Sequence, residues 1–314
     1  MKRYGLGLDY GTNSCRCLIF DLEDGAELAD AVFPYPSGEQ GILLDPRDPN
    51  LARQNPQDYI DGLSVITASI QRAREARPDF DPLEIVGIGI DTTGSTPLPV
   101  NREGTPLALL PEFKDNLNAM AWLWKDHTSH SEAAQVTETA AKIRPQYLAK
   151  CGGTYSSEWF WSKVLHCRKV APDVFNAAHS FVELCDFIPA VLAGKAQPDQ
   201  LVRSVCAAGH KAMYCEEWKG LPDAEFLAAL DPALAGLRER LYTRAVPSDQ
   251  VAGRLSPKWA EKLGLKPGIA IAVGAFDAHM GAVGAGIQPG TLVKILGTST
   301  CDMMVMPNTE RLAD

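Results

Sequence analysis

Residues 4–21 read YGLGLDYGTNSCRCLIFD, and this stretch decides the fold. Apolar residues alternate on both sides of Gly11, which predicts two strands joined by a tight turn. Asp24-Gly25 is a further hairpin signal, and the apolar run that follows it predicts a third strand. The sequence therefore predicts that the chain opens with three antiparallel strands.

A helix and a fourth strand are predicted to follow these three. Apolar residues recur at helical spacing over residues 56–77, where Asn55 provides an N-cap before Pro56. Residues 84–91, EIVGIGID, form an apolar run that predicts a buried strand. A β-β-β-α-β order indicates the ribonuclease H-like α/β fold, because a doubly wound dinucleotide fold would alternate strand and helix throughout.

The middle of the chain is predicted to be mainly helical. Helical patterns cover residues 115–127, 131–144, 158–171, 180–193 and 222–241. After a short helix that ends at Gly264, residues 269–277, IAIAVGAFD, predict a buried strand. A helix of small residues is expected next, and residues 291–300, TLVKILGTST, predict the start of a new strand-turn unit.

Composition narrows the class of protein. With 314 residues, of which 46% are hydrophobic, the chain can bury the core of one large domain or two ordinary ones. The net charge of −9 and the lack of a strongly basic stretch argue against nucleic acid and anionic membranes as partners. We find neither a signal-peptide pattern nor an apolar run long enough for a transmembrane helix. The eight cysteines include no CxxC pair, which disfavours a zinc cluster and favours a reducing cytoplasm.

Two glycine-containing loops could hold phosphate groups through their backbone N–H groups. The candidate residues are Gly11, Thr12 and Asn13 in the first loop and Gly297, Thr298 and Ser299 in the second. Asp9, just before the first loop, could hold a hydrated magnesium ion. Each loop alone is more often an ordinary polar turn, whereas two such loops, each leaving an apolar strand, favour a phosphate site. The sequence has no GxxxxGK[ST] motif, so a P-loop fold is excluded.

Asp277 lies just beyond the apolar run of residues 269–276. A carboxylate at the end of a buried strand either caps the next helix or belongs to a site, and position alone gives both interpretations equal weight. In phosphoryl transfer to a sugar, an aspartate can accept the proton of the attacking hydroxyl. Residues 91–96, DTTGST, end another buried strand, where Gly94 and Ser95 either let a ligand approach closely or form an ordinary turn.

Two tryptophan-rich segments carry groups that pack against sugars and hydrogen-bond to them. Their polar and aromatic members are Trp124, Lys125 and Asp126 in the first, and Trp159, Trp161 and Lys163 in the second. The alternative for the first segment, which the residues alone slightly favour, is an amphipathic helix with its indole face in the core. Lys211 lies among small and apolar residues and either extends its stem along the surface or reaches a ligand oxygen.

Together these segments resemble the carbohydrate kinases of the FGGY type. The segments that carry the resemblance, in chain order, are GLDYGTNSCR, GIGIDTTGSTPLPV, LWKDHT, YSSEWFWSKVLHC, ELCDFIP, AGHKAMY, GAFDAHMGAVGAG and KILGTSTC. They span essentially the whole chain. GAFDAH and GTST are specific for the family, whereas the tryptophan segments and AGHKAMY resemble the branch that phosphorylates L-ribulose in arabinose catabolism.

The resemblance implies a fold, an activity and a set of residue roles. The implied fold is an actin-like ATPase domain with inserted helices, in which two domains close over a cleft. The implied activity is ATP-dependent phosphorylation of a small-molecule ketose, with Mg²⁺ present, Asp277 as the general base and Asp9 near the metal. The residues implied in contact with the ketose are Gly94, Ser95, Trp124, Lys125, Asp126, Lys211 and Asp277. The two glycine-containing loops would hold the phosphates of ATP.

Members of this family are longer than this chain. We expect residues 1–286 to form an N-terminal domain with the sugar site, and residues 287–314 to be the start of a truncated, ATPase-like second domain. Truncation would expose apolar surface, which predicts a homo-oligomer or association with a missing C-terminal half. Two alternatives stay open: a sugar-binding or interaction module without its own catalysis, and a kinase for another pentulose or a pentitol.

Overall fold

A computed structural model describes residues 3–296 and 300–307 of the chain. The strands are β1 (Tyr4–Tyr10), β2 (Ser14–Asp21), β3 (Glu27–Pro34), β4 (Leu43–Asp45), β5 (Asp48–Gln54), β6 (Ile85–Thr92), β7 (Pro97–Val100), β8 (Ala121–Trp122), β9 (Ser180–Glu183), β10 (Val251–Arg254), β11 (Ala270–Ala272), β12 (Ala275–Phe276), β13 (Leu292–Leu296) and β14 (Thr300–Met304). The helices are α1 (Pro56–Gly62), α2 (Val65–Ala76), α3 (His130–Ile143), α4 (Pro145–Ala149), α5 (Phe160–Val170), α6 (Pro172–Ala177), α7 (Leu184–Ala193), α8 (Val205–Ala212), α9 (Ala224–Leu230), α10 (Pro232–Arg238), α11 (Pro257–Leu263) and α12 (Asp277–Gly284).

A mixed sheet in the order β10-β11-β6-β1-β2-β3 forms the centre of the molecule, and β12 pairs with β6 beyond the end of β11. β1, β2 and β3 are antiparallel neighbours, whereas β6 is parallel to β1, and both β11 and β12 are parallel to β6. The chain crosses from β3, at the edge of the sheet, to β6, the parallel neighbour of β1, through a segment that contains α1 and α2. This topology confirms the predicted ribonuclease H-like, actin-like α/β fold.

The two faces of the central sheet differ. One face packs against α2 and α7, and its buried residues include Leu6, Leu8, Ile88 and Ile90. The opposite face carries Gly7, Gly87 and Gly89, where a Cβ atom would meet no other atom within 4 Å. This face lines a groove of about 1100 Å³, bordered by Val283 of α12, which is 60% exposed. We call it the glycine face of the sheet.

A helical region inserted after β7 has its own apolar core. Helices α3, α5, α6, α9 and α10 pack around buried aromatic residues, namely Trp122, Trp161, Phe181 and Phe226. The predicted helices over residues 131–144 and 158–171 correspond to α3 and α5. Within the residues that the structure describes, no helix combines the length and the apolar character needed to cross a membrane.

Four predicted helices need correction. The helix expected over residues 222–241 is divided into α9 and α10, because Asp231 is extended before Pro232. The helix expected over residues 56–77 is divided into α1 and α2, because the N–H groups of Leu63 and Ser64 bond to carbonyls three residues back and interrupt the α-helical pattern. The helix expected over residues 115–127 is instead a single 3₁₀ turn, Leu117–Ala119, followed by β8, which pairs with β5. Residues 180–183 form β9 because this wholly buried segment pairs with β7, and a continuous apolar run does not distinguish a strand from a helix.

Candidate active site

Three aspartates from distant parts of the chain come together at one edge of the central sheet. Asp9 of β1 is the register partner of Asp91 on the parallel strand β6. β12 pairs with the same end of β6, and Asp277 follows it directly as the first residue of α12. Since parallel strands end at the same edge of a sheet, these carboxylates converge where ligands commonly bind to α/β folds.

Burial and mutual repulsion shape the electrostatics of this cluster. Burial raises the pKa of Asp91 to about 8, and the negative charges of Asp9 and Asp277 contribute to this rise. Burial also raises the pKa of Asp9, although Arg16 and a hydrogen bond with Asp91 oppose the shift. Burial also raises the pKa of Asp277. The backbone N–H of Ala278 donates to the Oδ1 atom of Asp277 over 2.7 Å and partly opposes this rise. Asp91 therefore holds its proton into the neutral pH range.

Asp9 is the residue predicted to lie near magnesium. Its carboxylate lies 3.8 Å from the guanidinium of Arg16, and 37% of its side chain is exposed. In the described part of the chain, no three His, Cys, Asp or Glu side chains are close enough together to enclose a metal ion. Carboxylates such as those of Asp9 and Asp91 nevertheless suit Mg²⁺, which takes one or two protein ligands and keeps most of its water.

The first predicted phosphate loop, residues 11–13, forms the turn between β1 and β2. The side chain of Gln54 donates to the carbonyl of Thr12 over 2.7 Å, and the side chain of Asn13 donates to the carbonyl of Gln40 over 2.7 Å. These bonds hold the turn in place beside Asp9. The second predicted loop, formed by Gly297, Thr298 and Ser299, lies outside the described residues.

Trp124 connects the first loop with the tryptophan-rich segment. Its indole N–H donates to the hydroxyl of Thr12 over 3.0 Å, although the two residues are 112 positions apart. Lys125 follows on this segment and is half-buried. The structure therefore brings a residue predicted to contact sugar next to one predicted to contact phosphate.

Asp126 lies in the interior and is fully buried. Its carboxylate contacts the guanidinium of Arg53, which stacks 3.5 Å from the centre of the Trp122 ring. The carboxylate also accepts hydrogen bonds from the backbone N–H of Ala52 over 2.7 Å and from the hydroxyl of Thr128 over 2.6 Å. Its acceptor capacity is used inside the protein, so Asp126 supports the segment of Trp124 from beneath. Sequence reasoning missed Arg53 altogether.

Gly94 and Lys211 meet next to the aspartate cluster. A Cβ atom at Gly94 would lie 1.8 Å from the ring of Phe276, so this position accepts only glycine. The ammonium of Lys211 donates to the carbonyl of Gly94 over 3.0 Å and lies 5.2 Å from the centre of the Phe276 ring. Burial lowers the pKa of Lys211, and nearby carboxylates, including Asp277, oppose this.

Ser95 is fully buried, and its hydroxyl donates to the carboxylate of Glu183. The backbone N–H of Thr96 donates to the other oxygen of Glu183 over 2.8 Å. Glu183 was not among the predicted site residues, and the only signal for it was a carboxylate directly after the apolar strand SFV. The hydroxyl of Ser95 is thereby directed into the protein.

Trp159 lies between two other rings near Lys211. Its ring packs edge-on at 5.1 Å from Tyr155 and at 5.2 Å from His210. Burial lowers the pKa of His210 to about 4, with help from the positive charges of Lys211 and His279. The hydroxyl of Tyr155 donates to the carbonyl of Lys211. His210 is therefore a neutral packing residue at physiological pH.

Comparison with known proteins identifies the family. The profile of the FGGY family of carbohydrate kinases, N-terminal domain, matches residues 4–284. The chain belongs to this family. A ribulokinase of Vibrio parahaemolyticus is 48% identical over 306 residues, which cover 97% of this chain and 53% of that protein. A ribulokinase of Shouchella clausii is 40% identical over 314 residues, covering 97% of this chain and 54% of that protein. The chain spans about half the length of the curated relatives that it matches.

Solved structures share the fold. The xylulose kinase of Rhodospirillum rubrum superposes with a TM-score of 0.74 at 22% identity, covering 95% of this chain and 54% of that one. The glycerol kinase of Plasmodium falciparum, solved with ADP, superposes with a TM-score of 0.72 at 15% identity, covering 95% of this chain and 53% of that one. The family and the fold that the sequence motifs indicated are both confirmed.

Proposed function

We propose that this chain supplies the sugar site and the general base of an ATP-dependent ketose kinase, with L-ribulose as the substrate. The observation that carries this proposal is the convergence of Asp277, Gly94 and Lys211 at the sheet edge that also holds Asp9 and the turn of Thr12. Relatives named ribulokinase support L-ribulose as the sugar and L-ribulose 5-phosphate as the product. Arabinose catabolism is the pathway in which this reaction would serve.

The proposed chemistry is a single phosphoryl transfer. The carboxylate of Asp277 accepts the proton of the terminal sugar hydroxyl while the hydroxyl oxygen attacks the γ-phosphorus of ATP. The bond between that phosphorus and the oxygen bridging to the β-phosphate breaks, and ADP leaves with the electron pair. A raised pKa makes Asp277 a stronger base than an exposed aspartate, provided that it is ionised at the working pH.

Asp9 and Asp91 are the residues that we propose to hold Mg²⁺, through water or directly. When bound, the metal would neutralise charge on the phosphates of ATP. We assign the same phosphates to Gly11, Thr12 and Asn13 in the first loop and to Gly297, Thr298 and Ser299 in the second. The turn of the first loop beside Asp9 supports the first of these assignments.

For the ketose we propose direct contacts with Gly94, Trp124, Lys125, Lys211 and Asp277. Ser95 and Asp126 belong to the same site as supports, because both side chains are buried and already bonded within the protein. We therefore divide the predicted sugar residues into proposed contacts and a proposed supporting layer.

We also propose that residues 1–286 form one domain, and that residues 287–314 open a second. The glycine face, with exposed Val283 and Leu296 nearby in sequence, supports a partner that covers it. The C-terminal half seen in the longer relatives is the partner we favour, and a second copy of the chain is the alternative. All eight cysteines are free thiols, which supports a reducing cytoplasm.

Two measurements on the same preparation test the function. Release of ADP from Mg-ATP is followed with and without L-ribulose, and calorimetry measures the binding of L-ribulose alone. We expect calorimetric binding, with ADP release dependent on the sugar wherever a C-terminal half is present. If L-ribulose neither binds nor stimulates ADP release, while another pentulose or a pentitol does, the assigned substrate is wrong.

A second candidate function is a sugar-binding module, since the proposed sugar contacts Gly94, Trp124 and Lys211 all lie within the described residues. On this reading the chain binds sugar but does not turn it over by itself. Binding of L-ribulose without ADP release, together with turnover restored by an added C-terminal half from a related kinase, would support the sugar-binding module. ADP release by the isolated chain would exclude it.

A further inference from the structure

Lys163 has no role in the function proposed above, yet its ammonium lies between two segments that carry proposed sugar contacts. It is 1% exposed, and α5 carries it into the interior between two segments of the chain. The Nζ atom donates to the carbonyl of Ser95 over 2.8 Å, to that of Leu123 over 2.8 Å and to that of Trp122 over 3.3 Å. One side chain thus bonds both to the loop of Gly94 and to the residues directly before Trp124.

Those three bonds use all the donors that lysine has. An ammonium carries three N–H groups and no acceptor, whereas a neutral amine would turn a lone pair towards one of the carbonyls. The arrangement therefore requires the charged form. Burial opposes that form, and the nearby carboxylate of Glu183 favours it.

Glu183 also forms hydrogen bonds with the loop of Gly94. Its carboxylate accepts from the hydroxyl of Ser95 and from the N–H of Thr96, whereas no hydrogen bond joins it to the segment of Trp124 among the described contacts. Lys163 and Glu183 consequently fix residues 94–96 together, and among the described side-chain hydrogen bonds those of Lys163 alone join that loop to residues 122–124.

Resting on the proposed function, we infer that Lys163 is a positioning residue that sets the distance between the two sugar-contacting groups Gly94 and Trp124. It does not touch the sugar. Its three hydrogen bonds fix the loop and the tryptophan segment relative to each other, so that a pentulose finds both in place. Without Lys163, each segment keeps its own local contacts, but the hydrogen bonds that join the two segments through one side chain are lost.

The test replaces Lys163 with methionine, which keeps the length of the side chain and removes every donor. We expect binding of L-ribulose to weaken about tenfold to a hundredfold, because buried charge-assisted hydrogen bonds contribute on this scale. Hydrogen exchange followed by mass spectrometry should show faster exchange in residues 93–97 and 121–126, with residues 14–21 of the sheet unchanged. Lys169→Met is the control, since exposed Lys169 lies on the same helix and its ammonium bonds to Glu132 and Gln135 and not to either sugar-contacting segment.

Glu183→Gln provides a second, milder variant that does not depend on how Lys163→Met folds. It should speed exchange in residues 93–97 more than in residues 121–126, because the described hydrogen bonds of Glu183 go to the loop, whereas it acts on residues 122–124 only through the charge of Lys163. The inference is overturned if Lys163→Met leaves both segments protected, or if exchange rises equally across the sheet. If the unaltered chain does not bind L-ribulose, the proposed substrate fails, and the exchange data on the free protein still decide the role of Lys163.

Discussion

Asp9 and Asp91 stand opposite each other on two parallel strands, and their carboxyl groups share a hydrogen bond. Two carboxyl groups in contact cannot both ionise readily, so the pair retains a proton that an exposed aspartate would lose. The same sheet edge carries Asp277, whose charge adds to the repulsion. A cation bound there would remove this repulsion, which gives the site an affinity for positive charge.

Replacing Asp91 with asparagine should stabilise the protein at alkaline pH. The pKa of Asp91 is about 8 in the folded protein, above its value of 3.8 in the unfolded chain. Folding therefore favours the neutral form of Asp91. The stability that this neutral form contributes is fully present below pH 4 and is lost as pH rises through 8. Asp91→Asn removes this loss, so its Tm should exceed that of the unaltered protein at pH 8.5, and the gain should shrink towards pH 5.

Thermal unfolding across this pH range checks the prediction. Tm should rise by roughly 2–4 °C for each kcal/mol by which Asp91→Asn raises the free energy of unfolding. Asp199→Asn is the control, because Asp199 is exposed and lies outside the cluster. A gain in Tm that is the same at pH 5 and pH 8.5 would show that Asp91 does not hold a proton in the folded state.

Asp277→Asn should abolish most of the sugar-dependent ADP release while leaving the binding of L-ribulose nearly unchanged. Loss of a general base lowers the rate about 10²-fold to 10⁴-fold, because no group remains to accept the hydroxyl proton. In the unaltered enzyme, the rate should fall as pH decreases through the raised pKa of Asp277. The measurement is kcat against pH in the kinase with its C-terminal half.

Asp302→Asn serves as the control for Asp277→Asn, since Asp302 pairs with Lys294 on the exposed β13-β14 hairpin. Turnover by Asp277→Asn at the unaltered rate would remove Asp277 from the mechanism.

Gly94→Ala should disrupt the sugar site, because its new methyl group would lie 1.8 Å from the ring of Phe276. Either the loop or the ring must move, at a cost of about 1–3 kcal/mol in unfolding free energy for a forced fit of this kind. Gly89→Ala is the control on β6, the strand just before the loop of Gly94, because the added methyl meets nothing within 4 Å there. Urea unfolding and calorimetry with L-ribulose distinguish the two variants, and equal behaviour would contradict the tight contact with Phe276.

Asp126→Leu should strongly destabilise the fold, because it leaves the guanidinium of Arg53 buried without its partner. Breaking such a pair from one side costs about 3–5 kcal/mol. The double variant Arg53→Met with Asp126→Leu removes both charges and should recover much of that loss. Arg47→Ala, which breaks an ion pair with an 88% exposed arginine, should leave urea unfolding unchanged. No recovery in the double variant would mean that Asp126 acts mainly through the N–H of Ala52 and the hydroxyl of Thr128.

The strands that lead to the three aspartates, and the convergence of these strands, were predictable because they depend on local patterns. Alternation around Gly11 predicts β1 and β2, and polar residues at the ends of apolar strands mark Asp9, Asp91 and Asp277. Since parallel strands end at one edge, the position of these aspartates follows from the topology alone.

The supporting layer could not be predicted, because it depends on contacts between residues far apart in the chain. Asp126 bonds to Ala52 across 74 positions, and Lys163 bonds to Ser95 across 68. No periodicity encodes such pairs, so Asp126 was predicted to contact sugar although its carboxylate points inward. The segment of Trp124 was predicted as a helix for a related reason, since its aromatic residues are buried on more than one side.

Trp159 is placed so that its fluorescence should report ligand binding at Lys211. Its indole packs against Tyr155 and His210, and Tyr155 in turn bonds to the carbonyl of Lys211. A ligand that accepts a hydrogen bond from the ammonium of Lys211 will therefore change the surroundings of the Trp159 indole without touching that indole. Tryptophan emission should change on binding of L-ribulose, and Trp159→Phe should lose the part of that change that comes from Trp159 while the part from Trp124 remains, so that binding can be followed by fluorescence without a label.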